Sequence, residues 1–321
     1  MASEPTRDAW SHLIPEPFQN ITWAWTYDDT RQAYPHVGEH DVYYHTFMSV
    51  QLFASQHPQF DYIWNWEMDV RYTGNYHKLM RSLATWSATQ GDKALKRRNA
   101  RFYIPSVHES YENFSRTVAE ADQGEHDKTS KGSVWSDDTE ADLITTFPIF
   151  DVEGTLWPHK NYIINYDKSN MPPRHATVGT NMRLSRRLLD EMDYENRQGR
   201  SMMSEMWPPT LAYQRKLKVV YVPIPVWLRE QWPPEALEST FNGGRGSEVG
   251  GSLGSVINYE KVFKGSTWYW NAEFALDLYT RWLGLADDGP GSTEWEASNG
   301  PLCLPAMLLH PVKSERISSL N

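Results

Sequence analysis

The chain has 321 residues (37.3 kDa), is 40% hydrophobic and carries a formal net charge of −10. That balance suits one large domain or two small ones around a sizeable core, and it excludes a broad nucleic-acid surface, which needs clustered positive charge. Cys303 is the only cysteine, so an intrachain disulfide and a thiolate zinc cluster are excluded, and no run of about 18 apolar residues is present to cross a membrane.

Residues 1–35 hold Pro5, Pro15, Pro17 and Pro35 and little periodicity, and they read as an irregular arm with a short extended piece at 21–25. The first ten residues are polar and lack a signal-peptide core. Residues 40–55 are expected to be helical, with Tyr43, Phe47, Val50 and Phe53 on one face and His57-Pro58 as the stop.

From Phe60 the pattern changes. Tyr62, Trp64 and Trp66 alternate with Asp61, Ile63 and Asn65, the period of a pleated strand, and aromatic and β-branched residues favour that state. Glu67 and Asp69 follow where the strand runs out. Tyr76, Leu79, Met80 and Leu83 mark a helix ending before Gly91, and the basic run from Lys93 to Arg98 reads as a solvated helix end.

Residues 102–104 are expected to be a short strand, and 120–137 a polar, mobile loop. A strand is expected at 141–145 and mixed loop and strand at 157–166. Residues 176–185 read as one strand carrying Gly179. Ser185 then caps a helix through Arg197 whose inner face is Leu188, Leu189 and Met192. Residues 204–210 open another helix, 219–222 form a buried strand, and 239–255 are Gly/Ser-rich and read as a flexible loop. A helix is expected from Ser266 or Thr267 through Trp282. Strands and helices alternate, so the class is α/β.

Four motifs carry chemistry. Glu67-x-Asp69 closes a strand, where ligand sites of α/β sheets lie, and its carboxylate oxygens suit a hard divalent ion; a solvated strand end with Asp69 pairing Arg71 is the competing account. His36-Val37-Gly38-Glu39-His40 matches a zinc-peptidase pattern if helical. Gly250-Gly251-Ser252-Leu253-Gly254 matches a nucleophile elbow, but without the required preceding hydrophobic strand. Glu205 near a helix start suits either a capping acid or a base, and His310 becomes a ligand candidate if it folds back on Glu67 and Asp69. The 15 Trp, 17 Tyr and 11 Phe serve mainly as core, with sugar stacking as the alternative.

The run from Trp64 to Gly74 resembles a fungal family known only as a domain of unknown function, number 3405. So do the runs 179–185, 204–210, 265–269 and 307–313. That family in turn resembles GT-A-type glycosyltransferases. The resemblance implies a GT-A-like mixed sheet flanked by helices in one domain over 36–321. It implies transfer of a sugar from a nucleotide-sugar donor to a glycan or other hydroxyl acceptor.

On that reading Glu67, Asp69 and His310 hold Mn²⁺ or Mg²⁺, and Glu205 is the base. Gly179 and Asn181 shape the substrate region, Arg71 and Arg183 support the diphosphate, and Trp66, Trp207 and Trp268 stack on sugars. Only 66 residues precede Glu67, so the nucleotide-gripping part is expected to be shortened, and an inactive transferase-like or carbohydrate-binding protein is the alternative. The family's longer members resemble anchored Golgi enzymes, which implies a Golgi lumen setting, or a cytoplasmic one if this chain is complete. A zinc peptidase through His36 and His40, and a carboxylate-pair glycosidase, are weaker alternatives.

Overall fold

The computed structural model describes residues 14–91, 99–123, 139–153, 155–167, 169, 171, 173–243 and 261–313. Among these the strands are β1 (Tyr62–Asn65), β2 (Arg71–Tyr72), β3 (Leu143–Thr145), β4 (Ile149–Asp151), β5 (Ile163–Ile164), β6 (His175–Thr177), β7 (Met182–Ser185), β8 (Ser201–Met202), β9 (Val219–Tyr221) and β10 (Leu308–Leu309). The helices include α1 (Tyr27–Ala33), α2 (Phe47–Gln56), α3 (Tyr76–Ala88), α4 (Tyr111–Gln123), α5 (Arg186–Arg197), α6 (Trp207–Gln214), α7 (Pro234–Asn242), α8 (Phe274–Trp282) and α9 (Thr293–Asn299).

Alternation in the central strands decides the layering. A mixed four-stranded sheet runs in the order β1-β7-β3-β9; β7 is antiparallel to both neighbours and β3 is parallel to β9. Successive side chains of a strand point to opposite faces. Leu143, Met182, Leu184 and Val219 therefore enter one core with Leu188, Leu189 and Met192 of α5 and Leu211 of α6. Ile144 and Val220 enter the other, with Phe102, Ile104, Phe241, Phe263, Trp268 and Leu309. The protein is thus mixed α/β, a sheet flanked by helices on both faces. The Ser185 hydroxyl caps α5 by accepting the Leu188 amide at 3.1 Å, as its sequence position predicts.

Several expected elements differ. The arm is not irregular throughout, because Thr26 and Asp29 form a capping box that starts α1, and Tyr34 behind it is fully buried. Residues 21–25 form no strand. The helix expected over 40–55 begins only at Phe47, because the Asp41 carboxylate accepts the amides of Tyr43 and Tyr44 and holds a turn there.

Residues 102–104 supply a single bridge, Tyr103 to Pro225. Residues 176–185 split at Gly179 into β6 and β7, which pair in different sheets. The helix expected from 266 begins at Phe274, because Ser266 and Trp268 are drawn into bridges with Leu228 and His310. Helix α4 reaches Gln123 and α7 reaches Asn242. The remainder of the two expected loops, the run 93–98 and the stretch 250–254 lie outside the described residues.

Candidate functional site

Register brings the site together. Asn65 ends β1 opposite Met182, which begins β7, and Thr145 ends β3 opposite the same residue. Residues 66–69, 178–181 and 146–147 therefore meet at one edge, beyond the carboxyl ends of β1 and β3, where α/β sheets bind ligands. Strand β2 pairs antiparallel with β10, Arg71 opposite Leu309, and the Val312 amide donates to the Asp69 carbonyl at 2.7 Å. This carries His310 to the turn that holds the two acids.

The Nε2 of His310 lies 3.1 Å from Glu67 Oε2 and 3.6 Å from Asp69 Oδ1. One ligand atom from each of Glu67, Asp69 and His310 falls within a sphere of mutual separations no larger than 4.8 Å, the one such group of three among the described residues. Two carboxylates and an imidazole at these spacings could hold a metal ion. Lys313 Nζ is 3.9 Å from Asp69 Oδ2.

Glu67 is held from the other side. Its Oε1 accepts the Thr180 amide at 2.6 Å and the Thr180 hydroxyl at 2.8 Å, and its Oε2 accepts the Asn181 side-chain amide at 3.1 Å. The Glu67 amide returns a bond to Asn181 Oδ1 at 2.8 Å. Burial pushes the Glu67 carboxyl up, but the hydrogen bond and charge of His310, with the two Thr180 donors, outweigh it, and the group sits below its ordinary range.

The next amide in that loop serves the second acid: Gly179 N–H donates to Glu205 Oε1 at 2.5 Å. Glu205 is fixed through its carbonyl by the Thr177 amide at 3.1 Å, in the turn that leads into α6. Burial pushes its carboxyl up to about 8; the Gly179 bond opposes this and the Glu67 charge adds to it. Gly179 has φ +110°, and a β-carbon there would lie 2.8 Å from the Phe147 ring. Phe147 and Trp268 stack at 4.7 Å under the site and both meet the His310 ring edge-on.

Not every expected residue lines the site. Arg71 spends its guanidinium on the Met68 and Val70 carbonyls, bracing the acidic turn. Asn181 is buried against Glu67 and orients it. Arg183 is buried on β7, paired with Glu140 and stacked over Tyr62. Trp207 is core, and Trp268 is fully buried with its Nε1 donating to Thr146 O at 2.8 Å, so neither presents a sugar-facing ring. Trp66 is half-buried, edge-on to Trp64 and Tyr76.

His36, Glu39 and His40 lie in a turn and loop with Gly38 at φ +84°, so the two histidines do not share a helical face and the zinc-peptidase geometry fails. Sequence reasoning missed Thr180 and Phe147. The Gly-Thr-Asn run ahead of a strand was the available signal for the first, since those residues mark turns; nothing local marks Phe147.

The family described as "Protein of unknown function (DUF3405)" matches residues 2–137 and 125–314, and the chain belongs to that family. No curated protein and no solved structure matches it.

Proposed function

We propose that this member of the family is a metal-dependent glycosyltransferase of GT-A type, moving a sugar from a nucleotide-sugar donor to a hydroxyl acceptor. The observation that carries the reading is the convergence of Glu67, Asp69 and His310 within 4.8 Å at the carboxyl end of β1. Glu205 lies beside it, its amide-held loop shared with Glu67. These three residues would hold Mn²⁺ or Mg²⁺, and the bound ion would supply neutralisation of the charge that develops on a diphosphate leaving group.

The protein groups do the rest. Thr180 and Asn181 hold the Glu67 carboxylate in one orientation, so no ordering is needed when ligand arrives. Glu205 Oε1 is engaged by Gly179, which leaves Oε2 to take the proton of an acceptor hydroxyl. A carboxyl held near neutrality is suited to that transfer. Phe147 and Trp268 exclude water from beneath the histidine.

The alternative is a carbohydrate-binding protein without transfer activity. Titration calorimetry with Mn²⁺ and a panel of nucleoside diphosphates separates the two. Binding that disappears in Asp69→Ala supports the transferase; absence of binding to every diphosphate overturns it.

A further inference from the structure

Tyr43 is an exposed aromatic ring, 57% accessible, that no motif singled out. It is nonetheless held firmly. Its amide donates to Asp41 Oδ1 at 2.8 Å, and its carbonyl accepts the Ser204 hydroxyl at 2.7 Å. Ser204 is the residue immediately before Glu205, so the second bond ties the Tyr43 backbone to the side chain next to the proposed base. The Tyr43 hydroxyl lies 3.4 Å from His159 Nε2, and the two rings meet edge-on at 5.7 Å. Tyr44 adjoins at 5.3 Å and is itself stacked on Tyr162 at 4.2 Å, so the exposed ring is backed by an ordered aromatic wall.

We propose that Tyr43, flanked by His159, is the platform on which the acceptor carbohydrate stacks, placing an acceptor hydroxyl at Glu205. The apolar face of a pyranose needs a flat, rigid apolar partner while its hydroxyls need polar groups at the rim, and an exposed tyrosine beside an imidazole offers both. The Ser204 contact sets Tyr43 beside the segment that carries Glu205, and the Tyr43 hydroxyl is pushed up to about 12, by burial first and then by the charges of Glu205, Tyr44 and Glu67. The proposal rests on the transferase reading and adds to it the substrate class and position of the acceptor subsite.

The test uses the full chain with Mn²⁺ and a panel of methyl glycosides (mannoside, galactoside, glucoside, N-acetylglucosaminide) and their disaccharides. Binding is read by saturation-transfer NMR and calorimetry. At least one sugar should bind, roughly tenfold more weakly in Tyr43→Ala and within about threefold of wild type in Tyr43→Phe, which keeps the stacking ring. The Mn²⁺ affinity and unfolding midpoint of both variants should match wild type, so a folding defect is distinguishable. Sugar binding that survives in Tyr43→Ala, or no sugar binding by wild type, overturns the subsite. Sugar binding that depends on Tyr43 in a chain that binds no nucleoside diphosphate overturns the transferase reading and leaves Tyr43 as a carbohydrate platform.

Discussion

His310 Nε2 and Glu67 Oε2 lie 3.1 Å apart, joining the end of the last described strand to the turn after β1. The imidazole sits between two carboxylates, with its Nδ1 buried and without a protein partner. Its polar work is therefore concentrated at Nε2, the atom a metal ion would claim. The β2–β10 pairing and the Thr267 carbonyl, which accepts the His310 amide at 3.0 Å, fix the ring where it is.

The first prediction concerns that centre. His310→Ala and Asp69→Ala each remove one ligand of three and should weaken Mn²⁺ binding by about 100-fold or more while the chain stays folded. Calorimetric titration measures the loss. Affinity in either variant within a few-fold of wild type would remove the residue from the ligand set.

Glu67→Ala should behave differently. Its carboxylate accepts three hydrogen bonds from Thr180 and Asn181, so removal strands donors that water reaches poorly. A cost of roughly 2–4 kcal/mol in denaturant unfolding is expected in addition to lost metal binding. A variant as stable as wild type would mean the loop repacks without it.

Gly179→Ala introduces a β-carbon 2.8 Å from Phe147 on a backbone at φ +110°. Strain and clash together should destabilise the chain by about 1–3 kcal/mol and disturb both the Glu67 and Glu205 contacts. Denaturant unfolding and Mn²⁺ titration of the same variant check both effects.

The Glu205 carboxyl is raised from its ordinary 4.5 to about 8. A raised carboxyl contributes fully to stability below its unfolded value, and that contribution is lost as pH rises through the folded value. The metal-free wild type should therefore weaken between about pH 4.5 and pH 8 relative to Glu205→Gln, which keeps an acceptor for Gly179 and carries no charge. Because the group is partly open to water, the difference at pH 8 is expected to be on the order of 1–3 kcal/mol rather than the full shift. Parallel pH-stability curves for the two proteins would sink the assignment.

Arg183 provides the contrast. It is buried, pairs with Glu140 and covers Tyr62. Arg183→Met should cost about 1–3 kcal/mol of stability and leave affinity for Mn²⁺ and nucleoside diphosphates unchanged. A selective loss of diphosphate affinity would return Arg183 to the site.

Much of this protein was legible in local patterns. Alternation marked β1, β-branched runs marked β3 and β9, and Ser185 with Leu188, Leu189 and Met192 marked a capped amphipathic helix. Each of these depends on backbone geometry and burial within a few residues, which sequence spacing encodes directly. The acids at the end of β1 stood out because charge beside a hydrophobic strand is costly without a partner.

Tertiary structure decided the rest. Trp207 and Trp268 became core and Tyr43 surface, a sorting that composition alone does not make for aromatic residues. Residues 176–185 broke into two strands because Gly179 turns beneath Glu205 and Glu67, a demand set by residues distant in the chain. The convergence of Glu67, Asp69 and His310 follows from two registers, β1 on β7 and β2 on β10. Register is a property of paired strands and the cores they close, so no single segment carries it.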